Sequence, residues 1–199
     1  YNIILTNSIK KKLLFIIKSF GYSILFLLYG KIKGIIDSTK HESIEIFNTT
    51  LDQNYTYKIF QIKNCRIYTD AVTDTAFIID NKIINGPSFQ HRNPKNAEVS
   101  ENIVFQKGTP KLKKKLTGSV FSLLTGGGGN ANYWHWLFDV LPRLKILQTK
   151  KNLDEIDFFL FPDIKEKYQF ESLDILNIPL NKRISSKIFR HTQADIALA

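Results

Sequence analysis

Four polar residues in one segment have the types and the spacing needed for acid–base chemistry. They are Asn132, His135, Asp139 and Arg143, which follow one another at intervals of three, four and four residues. At about 100° per residue in an α-helix, they fall within one sector of roughly 140°. A carboxylate four residues after a histidine can hydrogen-bond the imidazole, fix its tautomer and raise its basicity. The spacing therefore indicates a candidate general base with an arginine beside it.

The residues around this polar stripe predict the element that carries it. They are mostly large and apolar: Trp134, Trp136, Leu137, Phe138, Val140, Leu141 and Leu144. We expect a helix over about 131–148 that is buried on most of its circumference, so its polar stripe must be satisfied by partners or face a cleft. Pro142 lacks an N–H group, so the helix should kink there or restart with Pro142 at its first position. The alternative is that His135 is a hydrogen-bonded core residue.

Four consecutive glycines, residues 126–129, precede this helix. Such a loop brings backbone N–H groups close to a ligand, and a helix N-terminus favours an anion. Gly126, Gly128 and Ala131 also satisfy the G-x-G-x-x-A pattern of dinucleotide sites, but no acidic residue stands at a strand end about 20 residues later. A dinucleotide-binding loop and a hinge without a ligand are the alternatives.

Other chemistries find less support in the sequence. His135 and Asp139 supply two ligands at helical spacing, but there is no HExxH motif and no evident third ligand, so we predict no metal site. No G-x-S-x-G sequence exists for a nucleophile elbow. The single cysteine, Cys65, excludes an intrachain disulfide and a zinc cluster built on cysteines.

Hydrophobic patterning predicts an α/β fold in three parts. The parts are a basic, apolar helical segment with a linker (1–50), a β-rich lead-in (51–117) and a βαβ part (118–199). Short β-branched and aromatic runs predict a small antiparallel β unit over about 51–106. Strands that alternate with helices then predict parallel pairing. These later elements are strands at 119–125, 157–161 and about 184–189, with helices at 131–148 and 165–177, and the last residues look like the start of another element.

Composition and charge narrow the class of protein. The 199 residues are 43% hydrophobic, 13% aromatic and 23% charged, which excludes a disordered chain, a collagen-like repeat and a coiled coil. The net charge is +10, and residues 1–36 hold six lysines and no acidic residue. A second lysine run, within 107–115, has no aromatic residues among the lysines and predicts a solvated basic loop, so we expect no nucleic-acid partner. A non-catalytic scaffold that binds anionic surfaces through these lysines is an alternative.

The N-terminal segment has apolar residues at helical spacing between lysines. Only 12 uncharged residues run from position 19 to position 30, against the ~20 needed to cross a bilayer, so a full span is not expected. With Gly21 as a break, the pattern predicts a pair of helices in peripheral contact with anionic lipid through residues 10–36. Packing on a neighbouring domain is the alternative. Because the chain has no methionine, we expect it to be part of a longer protein.

The segment NYWHWLFDVLPRL, residues 132–144, resembles the signature of glycosyltransferase family 61. The likeness extends over about 58–199, with CRIYTDAVTDTAFIID and GSVFSLLT before the motif and FESLDILNIP after it. It implies the first, Rossmann-like half of a GT-B enzyme that transfers a sugar from a nucleotide sugar to a glycan acceptor, with inversion and without a cofactor or metal. The second half, which grips most of the donor, would lie beyond Ala199, so this chain alone is expected to be inactive. The implied setting is capsular or lipopolysaccharide synthesis in the cytoplasm, with the inner face of the membrane as an expected location.

Under this resemblance the polar residues take separate roles. One of His135 and Asp139 is the catalytic base and the other orients it. Arg143 reaches the diphosphate of the donor or clamps the loop to Asp139. The candidate substrate-binding residues are Asn132, which would hold the acceptor, Arg143, Gly128, Gly129 and Asn130.

Overall fold

The computed structural model describes residues 2–51, 55–93 and 95–199. Residues 52–54, at the start of the predicted β-rich part, lie outside the described residues, as do Tyr1 and Pro94. Ten strands form one mixed sheet in the order β1-β5-β4-β3-β10-β7-β8-β9, with β2 paired to β3 and β6 paired to β4. The strands are β1 (Gly34–Asp37), β2 (Ile44–Thr50), β3 (Thr56–Thr69), β4 (Asp74–Ile79), β5 (Lys82–Asn85), β6 (Phe89–Gln90), β7 (Lys114–Ser122), β8 (Phe158–Phe161), β9 (Arg183–Ser185) and β10 (His191–Leu198).

Four strands, β9, β8, β7 and β10, run parallel to one another, as the alternation of strands and helices predicts. Helix α5 (Lys167–Ile175) and the helix at 133–148 connect β7, β8 and β9. Chain order runs outward from β7 to β9 and then returns to the other side of β7 at β10. The protein is therefore a mixed α/β fold, as expected, with its parallel strands at one end of the sheet.

The last strand, β10, lies in the middle of the sheet. It is antiparallel to β3 and parallel to β7, and Ala194 and Ala197 are fully buried there. This strand joins the β-rich lead-in to the βαβ part in one sheet. β7 also crosses the predicted boundary between residues 117 and 118, because it begins at Lys114, within the lysine run expected to be a loop.

Alternating side chains divide between two hydrophobic clusters on the two faces of the sheet. Val120 and Leu160 belong to one cluster, whereas Phe121 and Phe159 belong to the other, as the two-residue period of a strand requires. The first cluster also contains side chains from β1, β4 and β5. The sheet therefore curls, because residues from both ends of the strand order share one core.

The second face is covered by the motif helix, which we define as residues 133–148. It consists of α3 (Tyr133–His135), a π-helical stretch (Trp136–Val140) and α4 (Leu141–Gln148). Trp136, Val140, Leu144 and Leu147 pack against the strands. Helical structure continues from 133 to 148 without a break, and Pro142 lies in the first turn of α4, which begins one residue earlier at Leu141.

The N-terminal segment forms one helix, α1 (Asn2–Tyr29), and a short helix, α2 (Val104–Lys107), lies before β7. The predicted break at Gly21 is wrong, because helical structure continues through this residue. A single glycine lowers helix stability by only about 1 kcal/mol, whereas a sharp kink usually needs a proline or an inserted turn.

Candidate active site

A cavity of about 740 Å³ lies between the motif helix and the sheet. Phe121 and Thr125, from β7 and the turn after it, form one part of its wall, and Ala199, directly after β10, forms another. The cavity therefore opens at the carboxyl ends of β7 and β10, where the strand order reverses. Crevices at this point of open α/β sheets are where ligands bind.

The motif helix begins with a cap provided by its own asparagine. The Asn132 side-chain oxygen accepts hydrogen bonds from the backbone N–H groups of Trp134, at 3.0 Å, and His135, at 3.4 Å. These N–H groups have no acceptor within the helix, so the cap stabilises its first turn by about 1 kcal/mol. The oxygen of Asn132 is thus engaged in the fold, and its amide nitrogen is the group left to meet a ligand.

The predicted pair forms in the structure. His135 Nδ1 lies 2.5 Å from Asp139 Oδ2, and the side chains are 44% and 46% exposed. Nδ1 therefore faces the carboxylate, and Nε2 points away from it. Asp139 lines the cavity, whereas His135 lies beside it. The pair is accessible to solvent, so the alternative of a buried core histidine is wrong.

The π-helical stretch sets the position of this pair. Leu141 donates its backbone N–H to the carbonyl of Trp136, five residues earlier, just ahead of Pro142. Proline removes one helical donor and crowds the preceding turn, and a wider turn accommodates both effects. Short π-helical stretches of this kind occur frequently at functional sites.

Arg143 lies on the next turn of the motif helix and lines the same cavity. Burial lowers the pKa of its guanidinium group, and the carboxylate of Asp139 partly offsets this shift. Among the described residues, no hydrogen bond to the guanidinium occurs within 3.5 Å. A partly buried guanidinium with free donors at a cavity wall is suited to bind an anion, in particular a phosphate, in two-point geometry.

Three further polar residues, which the sequence did not single out as candidates, line the cavity. Lys58 comes from β3, His91 follows β6, and Thr125 follows β7. The Thr125 hydroxyl is buried and has no hydrogen-bond partner among the described residues. The position of Thr125 at the carboxyl end of a parallel strand could have identified it as a candidate from the sequence. His91, whose ring lies 4.9 Å from that of Phe89, reaches the cavity only through tertiary folding.

The glycine loop packs against protein rather than against open space. A methyl group on Gly129 would meet Pro162 and Val140 at 2.9 Å, and one on Gly127 would meet the carbonyl oxygen of Val72 at 3.1 Å. Gly126 has φ +78°, a conformation that favours glycine. Close packing and one unusual backbone angle thus account for these glycines without a ligand.

Two other predicted binding residues complete the loop. Gly128 lies in the 3₁₀ turn Gly127–Asn130. The Asn130 side chain donates to the carbonyl of Ala71 at 3.0 Å and accepts from the backbone N–H of Asp163 at 2.7 Å. Asn130 therefore ties the loop to two neighbouring turns. Ligand contact by Gly128, Gly129 and Asn130 stays a prediction.

Two aromatic residues of the motif helix are exposed, contrary to the expectation that apolar residues bury most of its circumference. Trp134 and Phe138 are 65% and 57% exposed, and their rings lie 4.2 Å apart. Only one side of the helix faces the sheet, where Trp136 is fully buried and donates its indole N–H to the Ser172 hydroxyl at 2.9 Å. The His135–Asp139 pair therefore has an aromatic surface beside it.

Among the described residues, no group of three or more His, Cys, Asp or Glu side chains is arranged to hold a metal ion. Comparison of the chain with protein-family models, with curated proteins and with solved structures gives no significant match.

Proposed function

We propose that this chain is the N-terminal, Rossmann-like half of an inverting glycosyltransferase that resembles family 61 and builds a surface polysaccharide. The observation that carries the proposal is the position of Asp139 and Arg143 on one cavity wall, with His135 bonded to Asp139 at 2.5 Å. The nucleotide sugar and the glycan acceptor are the substrates, and no cofactor is required.

The sheet supports the Rossmann-like part of this proposal. Numbered from β7, the parallel strands follow the order 3-2-1-4 across β9, β8, β7 and β10. This is the order of the first four strands in the doubly wound nucleotide-binding fold. The cavity volume also lies within the range of small-molecule sites, about 300 to 1,000 Å³.

Inverting transfer requires a base on one side of the sugar and charge neutralisation on the other. The Asp139 carboxylate faces the cavity and takes the proton of the acceptor hydroxyl, while His135 holds it in position. The acceptor oxygen forms a bond to the anomeric carbon as the bond to the departing nucleoside diphosphate breaks. Arg143 neutralises the negative charge that grows on that diphosphate. The amide nitrogen of Asn132 is available to the acceptor.

The dinucleotide-binding alternative receives less support from the geometry. In known sites of that kind, glycines let the backbone approach a pyrophosphate. Here the space above Gly126, Gly127 and Gly129 is occupied by Val72, His91, Pro162 and Val140.

The test compares variants of the protein expressed from the complete gene that contains this chain. Turnover is measured as release of nucleoside diphosphate from a panel of nucleotide sugars in the presence of polysaccharide fragments. Asp139→Asn should lower kcat by about 10² or more, because the base is lost. Glu171→Gln, on the exposed side of α5 and paired with Lys167, is the matched control and should retain turnover.

The other two residues separate chemistry from binding. His135→Gln should lower kcat and shift its pH profile, because a group that positions the base is removed. Arg143→Gln should mainly weaken binding of the nucleotide sugar, measured by titration calorimetry. If Asp139→Asn and His135→Gln both keep full turnover while the protein loses stability, the pair is structural and the proposal is wrong.

A further inference from the structure

Helix α1 extends from the domain with many large apolar side chains exposed between Ile9 and Leu28. None of the most apolar window within Ile9–Tyr29 is buried inside the structure, although this segment is long and apolar enough to cross a membrane. Phe15 is 74% exposed and Leu27 is 83% exposed. An apolar surface of this extent in water is unfavourable, at about 25 cal/mol per Å². It requires an apolar partner.

The arrangement of these side chains identifies the partner as the interior of a bilayer. Residues 13–17 are Leu, Leu, Phe, Ile and Ile, and each is more than half exposed. At 100° per residue, five consecutive positions cover the whole circumference of a helix. Ser19, Tyr22 and Ser23 fall on one side of the helix, but Phe15 and Phe26 interrupt that side. A helix that lies on a membrane surface needs a continuous polar face, whereas a helix with apolar residues all round is buried or spans a membrane.

The lysines mark the two ends of the apolar segment. Lys10, Lys11 and Lys12 precede it, and Lys31 and Lys33 follow it. The 18 residues between Lys12 and Lys31 correspond to about 27 Å of helix, close to the ~30 Å hydrocarbon core of a bilayer. Lys18 is the charged residue inside this segment.

The second lysine run lies at the domain end of α1. The backbone N–H of Lys113 donates to the Tyr29 hydroxyl at 3.0 Å, and Lys113 Nζ lies 5.7 Å from the centre of that ring. Phe26 sits against Gly108, and Arg66 donates to the carbonyl of Tyr29. The loop before β7 and the end of α1 therefore form one basic surface. Its lysines are Lys31, Lys33, Lys107, Lys111, Lys113, Lys114 and Lys115.

We propose that α1 crosses a lipid bilayer as a single anchor and that this basic surface contacts anionic headgroups on the side of the α/β domain. Seven lysines surround the domain end of the helix and three precede its apolar segment. Excess positive charge stays on the cytoplasmic side, so the domain faces the cytoplasm. This anchor differs from the peripheral contact expected from the sequence, and it stands independently of the glycosyltransferase proposal.

The test uses cysteine labelling in sealed, inside-out membrane vesicles that contain the expressed chain. Native Cys65 is fully buried and gives little background. Lys187→Cys, on an exposed part of the domain, should react with a membrane-impermeant maleimide without detergent. Lys10→Cys should react only after detergent opens the vesicles. Equal labelling of both sites without detergent would overturn the proposal, because the helix would then lie on the surface or pack on another protein.

A second measurement separates insertion from loss of folding. Phe20→Asp places a carboxylate on an exposed position inside the apolar segment and should disfavour insertion about 100-fold, so the protein moves to the soluble fraction after a carbonate wash. Leu51→Asp, exposed on the domain, is the control and should stay in the membrane fraction. If unmodified protein is itself released by carbonate, α1 does not span the bilayer.

Discussion

His191, the first residue of β10, is a neutral histidine enclosed by the fold, with 1% of its surface exposed. Its Nδ1 lies 2.9 Å from the carbonyl oxygen of Lys111, so Nδ1 carries the hydrogen, and Nε2 has no partner among the described residues. Burial is the main reason that the pKa of the ring falls to about 4, and the positive charges of Arg66 and Lys113 lower it further. The hydrogen bond to the Lys111 carbonyl raises the pKa and offsets part of this shift.

The direction of the pH effect follows from this shift. The unfolded chain binds a proton at His191 near pH 6.5, whereas the folded chain resists it until about pH 4. The contribution of His191 to stability is therefore complete above about pH 7 and is lost as the pH falls toward 4. Linkage gives a loss of about 2 kcal/mol by pH 5 and about 3 kcal/mol below pH 4.

The assay is urea unfolding of the chain in detergent micelles at pH 7.5 and pH 5.0, followed by tryptophan fluorescence, since Trp136 is fully buried. His191→Asn removes the titration and keeps an amide N–H for the Lys111 carbonyl. Between pH 7.5 and pH 5.0, the unchanged chain should lose about 2 kcal/mol more of its free energy of unfolding than the His191→Asn variant loses. His41→Gln is the control. If the fall in stability is the same in His191→Asn, the buried neutral histidine is not its source.

Two further predictions concern packing around the candidate site. Gly129→Ala should lower the free energy of unfolding by about 1–3 kcal/mol, because the new methyl group meets neighbours at 2.9 Å. Gly34→Ala, where the methyl group has no atom within 4 Å, should lack this steric penalty, and urea titration compares the two variants. Trp136→Phe should lower the free energy of unfolding by at least about 1 kcal/mol, because it removes a buried hydrogen bond and part of a buried ring. Trp134→Phe, at an exposed position, should change it by less than about 0.5 kcal/mol. Equal effects of the two substitutions in thermal unfolding would contradict the difference in burial.

The sequence was most informative where local spacing decides the geometry. The i, i+4 interval predicted the contact of His135 with Asp139, and the alternation of strands with helices predicted the parallel strands. The position of Pro142 in the first turn of α4, where its missing N–H is tolerated, follows from the chemistry of proline alone. Each of these features depends on residues that are close together in the chain.

Features that depend on distant contacts were missed. β10 has the sequence HTQADIAL, whose buried alanines give little hydrophobic alternation, and only its pairing with β3 and β7 places it at the centre of the sheet. Trp134 and Phe138 were expected inside because they are apolar, but composition does not tell which side of a helix meets the sheet. The presence of His91 at the cavity likewise depends on tertiary folding.

The length of β3 sets the separation between the domain end of α1 and the cavity. Arg66 bonds the base of α1 near one end of this strand, and Phe60 lines the cavity near the other. The six residue steps from Phe60 to Arg66 span about 20 Å at the usual rise of a strand. If α1 crosses the bilayer and Asp139 is the base, as proposed above, an acceptor attached to a lipid must extend over a distance of this order. Under the two proposals together, acceptors of several sugar units on a lipid, or acceptors that diffuse freely, are the ones expected to reach Asp139.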